Sequence, residues 1–583
     1  MLLKSERLKN ILHFCLPFVV SAVLLTLIQP PFSFSFLAWF AWVPFILACS
    51  PEVKGRHIFI AAYAVSLFYW LGNLYWIAPV TLSGWIAFCL YTALLWPLLG
   101  LCVRFCRANK LPLFISVAVL VVGAERLQGL FLGGFFWRHL SHSQYANISL
   151  IQISDVFGAA GVSFVVAMVN GLAAEMIISG REKKIFTRGN YFKAIVVSAA
   201  VAGTILYGRW RIGQSGEFVE SGPMVGAVQT NVPQSVKISS DADDVGMIFE
   251  ELILNSGAAF EAGAELTVWP ETMVQAILDE RVQRFLDSSH YYKVFDERLK
   301  EHSRGRGFVL VGAYGGTVEF GEDLSIDLTS RYNSAFLYRP DGQQERNQYN
   351  KIHLVPFGEV VPFKKSIPWL YKLLMKFTPY DYDYSLDYGE EYTVFEMAGR
   401  GGDGEQIYRF GVLICYEDAV PLIGRRFALD EQGGKKVDWL VNISNDGWFV
   451  KFKEGRVCPS TELSQHTAVC VFRAVENRVS VVRSVNTGIS CLIDSEGRVK
   501  DGFSAGNLPG EAMKRQGMSG WFVDKVPIDR RVTFFSKYGQ WLDLICAFVF
   551  VLFVILPLFN RYYRTLVIRS LNSRGKPNGR SFG

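Results

Sequence analysis

Long apolar runs alternate with short charged loops over the first two hundred residues, and then the pattern changes. Seven apolar runs precede residue 210, at 11–28, 32–49, 58–77, 85–103, 111–125, 161–178 and 194–207, and an eighth lies late, at 544–559. A helix rises 1.5 Å per residue, so about 20 apolar residues cross the hydrocarbon layer of a bilayer. The runs therefore predict eight membrane spans, the fifth and seventh being short for the purpose. The first is not a cleaved leader, because its apolar run is long, no small-residue cleavage site follows and further runs come at once. From 222 to 535 the pattern is different. Short β-branched runs at 224–229, 265–269, 307–314, 334–338, 408–414 and 437–443 read as strands, and 479–485 with 488–494 as the arms of a hairpin. Residues 243–262 have helical spacing, with apolar Met247, Ile248, Leu252, Ile253 and Phe260. Pro340-Asp341-Gly342 is a turn, and Gly401-Gly402-Asp403-Gly404 is loop punctuation without a phosphate-loop continuation. Strand–helix alternation of this kind defines an α/β domain. The expected organisation is a membrane domain over 1–210, an α/β domain over 222–535, a C-terminal span at 541–560 and a basic tail at 561–583.

Composition sharpens this. Of 583 residues, 50% are hydrophobic and only 19% charged, against about 25% in an average soluble domain. A disordered chain, a coiled coil and a collagen-like fibre are excluded. The basic residues are placed unevenly. Lys4, Arg7 and Lys9 precede the first run, Lys54 and Arg56 lie in the second loop, and Arg104, Arg107 and Lys110 in the fourth. Arg181, Lys183, Lys184, Arg188 and Lys193 fill the sixth, and Arg561, Arg564, Arg569, Arg574, Lys576 and Arg580 the tail. The alternate loops 29–31 and 78–83 have no Lys or Arg, and the longer fifth loop has only Arg126 and Arg138. Basic loops stay cytoplasmic, so both termini are expected in the cytoplasm and residues 211–540 on the other face. The same alternation argues against a nucleic-acid patch. The ten cysteines form no CxxC pair and no disulfide framework, and no cluster has metal-ligand spacing. His353 and His466 read as structural.

Three reactive side chains sit where strands run out. Glu271 follows Val268-Trp269-Pro270, Lys351 follows Tyr349-Asn350, and Cys415 follows Val412-Leu413-Ile414. The C-terminal edge of an open α/β sheet is where ligands bind. A carboxylate can take a thiol proton, and an ammonium can stabilise an oxyanion. Taken singly, the cysteine reads as core, the glutamate as a cap and the lysine as a solvated charge. All three at strand ends form one chemical set.

At these residues the chain resembles the nitrilase, or carbon–nitrogen hydrolase, superfamily, whose triad is Glu-Lys-Cys. With eight spans around the α/β part, it resembles the apolipoprotein N-acyltransferases of bacterial envelopes. The likeness is carried by 228–234 (VQTNVPQ), 351–362 (KIHLVPFGEVVP), 414–417 (ICYE), 443–449 (ISNDGWF), 473–478 (RAVENR) and 486–488 (NTG). In the membrane part it is carried by Phe136-Trp137, Ser143-Gln144, Asp155, Gly158 and Gly161. The chain departs from the family at Ile238, where Trp is frequent, and in the longer, charged stretch 450–465 with Lys451, Lys453, Glu454 and Arg456.

The resemblance implies a four-layer αββα sandwich beside a multi-span helical membrane domain. It implies Glu271 as general base, Lys351 as oxyanion stabiliser and Cys415 as nucleophile, supported by Glu359, Tyr416, Glu417, Asn445 and Trp448. Gln234, Phe357 and Trp369 are the implied substrate contacts. The implied reaction moves an acyl chain from a phosphatidylethanolamine-like phospholipid, through a Cys thioester, to the α-amine of a diacylglyceryl-cysteine apolipoprotein. It calls for no metal or organic cofactor and no nucleic acid, and for a monomer in the bacterial inner membrane with the α/β domain in the periplasm. The stretch from Trp369 to Phe377 is amphipathic and reads equally as an interfacial lid or a core helix. Two other readings fit the triad or the spans: a membrane-anchored amidase that hydrolyses, and a transporter or sensor with an inactive nitrilase-like ectodomain.

Overall fold

A computed structural model of the chain describes residues 2–556 apart from 131–133, 239–241, 321–325, 365, 378–383, 402–403 and 455. The expected basic tail at 561–583 and the last residues of the eighth run lie outside the described residues.

The N-terminal third is a bundle of helices: Leu2–Leu27, Gly55–Asn73, Leu82–Thr92 with Leu95–Ala108, Leu113–Gln128, Ala159–Arg181 and Arg188–Gly213. Among the described residues three helical stretches, Leu82–Ala108, Ala159–Arg181 and Arg188–Phe218, are long and apolar enough to cross a membrane. The run at 32–49 is not one spanning helix. It is a 3-10 turn, Ser35–Trp39, and a six-residue helix, Val43–Ala48, begun by Pro44 near its N-terminus. Proline is at home only in a helix's first turn, so the run breaks there. The irregular backbone is satisfied from neighbouring helices: the Trp42 N–H donates to Asn170 Oδ1 (2.9 Å) and the Phe45 N–H to Ser21 Oγ (3.0 Å). Non-helical backbone at membrane depth survives only when enclosed in this way.

The remainder is built on two six-stranded sheets. The first has the order Gly520–Asp529, Val219–Gln229, Leu266–Val268, Phe308–Phe320, Ile326–Tyr338, Tyr349–Asn350. The second runs Val499–Lys500, Cys491–Ile493, Ser480–Asn486, Trp439–Asn445, Gly404–Ile414, Val394–Gly401. In each the three central strands are parallel and the flanking pairs antiparallel. The sheets pack face to face, helices Ala242–Glu261 and Tyr291–Ser303 cover the first, and Pro421–Ala428 and Thr461–Asn477 cover the second. This is an αββα sandwich. Strands Trp439–Asn445 and Ser480–Asn486 are buried along their whole length, as expected when both faces are covered. Ser484 Oγ crosses between the sheets, donating to the carbonyls of Val228 (2.6 Å) and Val268 (2.9 Å). Residues 479–494 do form an antiparallel pair. The charged stretch after Phe449 is a small hairpin, Lys451–Lys453 with Arg456–Cys458. The amphipathic stretch is helix Pro368–Leu374, none of whose residues is buried, followed by the turn Met375–Phe377. It is not a core helix.

Candidate active site

The strands of both sheets end at one place, and three side chains meet there. Strand Leu266–Val268 stops before Pro270, and Thr272, at φ +49°, turns the chain so that Glu271 is buried. Lys351 follows Tyr349–Asn350, and its own N–H donates to the Asn333 carbonyl at 2.8 Å. Cys415 is the first residue of a 3-10 turn after strand Gly404–Ile414 and sits at φ +53°. A side chain rarely adopts that left-handed conformation, and where it does it is held by its surroundings. Asn442 Nδ2 helps, donating to the Cys415 carbonyl at 3.1 Å.

Lys351 Nζ lies 3.2 Å from Glu271 Oε1 and 2.8 Å from Glu359 Oε2. Asn333 Nδ2 donates to both carboxylates, at 2.7 Å to Glu271 and 2.8 Å to Glu359. The other Glu271 oxygen accepts the Asn445 backbone N–H at 2.9 Å, and Glu359 accepts the Val355 N–H at 2.9 Å. Cys415, Glu271 and Lys351 are 7%, 4% and 1% exposed, so the site is closed to solvent. Burial alone would push the Glu271 carboxyl up, but the ammoniums of Lys351 and Lys237 and the Asn333 amide hold it below its ordinary value. Burial would likewise lower Lys351, yet Glu271 and Glu359 hold it well above the usual lysine range. Burial and the Glu271 carboxylate raise the Cys415 thiol, with Lys351 opposing them. The resting set is a carboxylate, an ammonium and a neutral thiol.

Glu417 ties the lysine segment to the cysteine turn. One oxygen accepts the N–H groups of Ile352 (2.7 Å) and His353 (2.9 Å), the other the Ile414 N–H (2.8 Å) and the Tyr349 hydroxyl (2.8 Å). Asn445 Nδ2 donates to Gln234 Oε1 at 3.0 Å, and Asn445 Oδ1 accepts from Asn486 at 2.7 Å. Behind the turn, His466 Nε2 is 2.9 Å from Asp418, and Nδ1 is 3.2 Å from both Asp446 and Glu462. Burial disfavours the imidazolium, but Asp418 and Asp446 outweigh it and hold His466 well above its ordinary range. Arg483 Nη1 adds a 2.5 Å contact to Asp418. Asp446, Glu462 and His466 are the one group among the described residues with ligand-type atoms within 4.8 Å of one another. Both ring nitrogens already face carboxylates, so the group reads as a charge network bracing the turn.

Tyr416 points away from the triad into the helical bundle. Its hydroxyl accepts the Phe136 N–H at 2.8 Å, and its ring stacks on Trp137. Trp137 Nε1 donates to Gln465, which donates in turn to the Pro30 carbonyl at 2.9 Å. Asp155 is the second link between the parts. Buried, it takes Arg478 (2.8 Å), Arg211 (2.7 Å) and the Tyr207 hydroxyl (2.7 Å).

Of the residues singled out from the sequence, Glu271, Lys351, Cys415, Glu359, Glu417 and Asn445 are brought together, and Gln234 touches the edge of the group. Trp448 is half-buried in the turn Asp446–Phe449, and half-buried Phe357 has φ +64°. Trp369 stands 70% exposed on its helix, outside this hydrogen-bonded group. Asn333 and Lys237 were not anticipated. Asn333 precedes the apolar 334–338 run in the same strand, and that position was the available signal.

The αββα sandwich places the fold in the carbon–nitrogen hydrolase class. The carbon–nitrogen hydrolase family model matches residues 224–507, and that for the apolipoprotein N-acyltransferase N-terminal domain matches 21–172. An apolipoprotein N-acyltransferase of Geobacter metallireducens is 31% identical over 91% of this chain and 92% of its own. That of Bdellovibrio bacteriovorus is 28% identical over 70% of this chain and 66% of its own. Among solved structures, an amidase from Nesterenkonia sp. is 16% identical over 54% of this chain and 95% of that one, with a TM-score of 0.34. The chain belongs to the apolipoprotein N-acyltransferase family.

Proposed function

We propose that this protein N-acylates the diacylglyceryl-cysteine at the N-terminus of apolipoproteins, using a phospholipid as acyl donor. The observation that carries the reading is the full-length likeness to a named N-acyltransferase, with Glu271, Lys351 and Cys415 buried together beneath the helical bundle.

In the first half-reaction the Cys415 sulfur attacks the carbonyl of a phospholipid ester, at the sn-1 chain of a phosphatidylethanolamine-like donor. Glu271 accepts the thiol proton as the S–C bond forms, and Lys351 stabilises the charge that develops on the carbonyl oxygen. The ester C–O bond breaks, Glu271 returns the proton to the departing alkoxide, and a thioester and a lysophospholipid result. In the second half-reaction the neutral α-amine attacks the thioester, Glu271 takes the amine proton, the C–S bond breaks and the sulfur regains a proton. The product is an amide. Glu359, Asn333, Glu417 and Asn445 hold these groups in place. The basic loops support a periplasmic site with cytoplasmic termini in the inner membrane. The amidase reading shares the first half-reaction, but the whole-length likeness favours transfer to an amine over transfer to water.

The test is to incubate purified protein with a phospholipid labelled in its acyl chain. Label retained on the protein, released by hydroxylamine and absent from Cys415→Ala is expected. Free fatty acid as the sole product with a lipopeptide acceptor present would replace transfer by hydrolysis. No turnover of any donor would leave an inactive ectodomain.

A further inference from the structure

One buried cation at the reaction centre has no part in the scheme above. Lys237 lies on the short helix Gln234–Ile238, which begins just after the Asn486-anchored loop. It is 7% exposed, and its Nζ donates to the Thr272 hydroxyl. Thr272 is the residue directly after Glu271 and holds the left-handed backbone of that turn. A lysine buried this deeply is rare unless paired with opposite charge. Its electrostatic partners are Glu271 first, then Cys415 and Glu359, with Lys351 as the opposing like charge. Tyr314, on the adjacent strand Phe308–Phe320, completes the surroundings: it bonds to Thr272 and senses both Glu271 and Glu359.

Charge balance gives the lysine a purpose. Glu271, 4% exposed, and Glu359, with a side chain 16% exposed, bring two carboxylates to Lys351, which alone leaves one of them without a cation. A buried carboxylate short of a cation holds its charge less readily, and Glu271 must be charged before it can accept the thiol proton. We propose that Lys237 is the second cation of the reaction centre, a positioning residue that keeps Glu271 ionised in the resting site, ready to take the thiol proton. The inference rests on Glu271 being the base, and it deepens that reading. Lys237 itself is pushed down to about 8 by burial, partly offset by Glu271. Its charge is therefore present at neutral pH and is lost as pH rises through about 8. Its help to Glu271 belongs to the acidic and neutral range.

The experiment measures the rate of acyl-enzyme formation per folded molecule against pH, with acyl-labelled phospholipid and the full-length protein. Wild type, Lys237→Met, Lys237→Arg, Thr272→Val and Glu271→Gln are compared, with melting temperatures alongside. Lys237→Met is expected to have its acidic limb displaced upward by about one to three pH units, the effect of losing one close opposite charge, and to lose about tenfold in rate per unit of displacement on the acid side of that limb. The deficit should close above about pH 8, where wild-type Lys237 is neutral too. Lys237→Arg should restore the acidic limb. Thr272→Val keeps the cation and loosens it, so a smaller displacement in the same direction is expected even if Lys237→Met fails to fold. A wild-type limb in Lys237→Met, or in Thr272→Val where the former does not fold, overturns the inference, as does a deficit uniform across pH. Thioester formed at a wild-type rate by Glu271→Gln overturns instead the assignment of the base.

Discussion

Glu417 offers a sharp test of how the site is held, because its two oxygens take four hydrogen bonds from the lysine segment and the cysteine turn. Replacing it with Gln keeps the shape and turns one oxygen into an NH2. In the better orientation the remaining oxygen still accepts from Ile352 and His353, and the amide nitrogen faces Ile414 and Tyr349. The Tyr349 hydroxyl can rotate and accept, but the Ile414 N–H, the last peptide before Cys415, meets another donor. The opposite orientation strands two N–H groups and is worse. One buried unpaired donor costs about 1–3 kcal/mol. If the cysteine turn relaxes to escape it, acyl-enzyme formation should fall on the order of 10- to 100-fold, at about 1.4 kcal/mol per factor of ten. The melting temperature should drop by only a few degrees. Glu417→Ala strands three N–H groups, roughly 3–9 kcal/mol on the same scale, and should not accumulate folded. Tyr349→Phe removes a single bond from a carboxylate that keeps three, and should act several-fold at most. Thioester formation is read by retained label and folding by thermal unfolding of solubilised protein. A wild-type rate and melting temperature in Glu417→Gln, or a Tyr349→Phe as slow as Glu417→Gln, would refute the clamp.

Lys351→Met should cost on the order of 10²–10³ in acyl-enzyme formation as a lost oxyanion stabiliser, and Glu271→Gln roughly 10²–10⁴ as a lost base; stopped-flow or quenched labelling checks both. Because Glu271 is held below its ordinary 4.5, its base form is retained as pH falls and is lost only through that lowered value. Acyl-enzyme formation should therefore not decline between pH 7 and 5 through this group. Cys458 is the one exposed thiol among the described residues, so a membrane-impermeant maleimide should label it in intact spheroplasts; labelling only after lysis would reverse the proposed orientation. Asp155→Ala leaves Arg478 and Arg211 without their shared carboxylate and should cost about 3–5 kcal/mol, seen as lost accumulation or a lowered melting temperature.

What the residues disclose on their own depends on whether the signal is local. Pro270 after a β-branched strand and Cys415 after Val412-Leu413-Ile414 mark strand ends within a few residues, and the sheet edges lie there. The run at 32–49 shows the opposite case. Its apolar content suits a lipid-facing helix and an enclosed irregular segment equally, and only Pro44 hints at the second. What decides is the pair of acceptors at Ser21 and Asn170, which are distant in sequence. Strand Val394–Gly401 escapes notice because it is an edge strand in which Gly399, Arg400 and Gly401 interrupt the β-branched pattern. Asn333 and Lys237 escape for a deeper reason. A lone amide or lysine has many solvated uses, and its chemistry appears only when folding removes the water and leaves a carboxylate in its place. Glu271 is the shared partner in both cases. A buried base therefore gathers polar neighbours from strands and loops that carry no common motif, and those neighbours are found by asking which charge each must balance. Glu359 has the same kinds of partner as Glu271, namely Lys351, Asn333 and a backbone N–H, but its side chain is 16% exposed and within reach of solvent. Glu271, with a side chain 6% exposed, has no such access to water, and that asymmetry is why a second lysine belongs beside it.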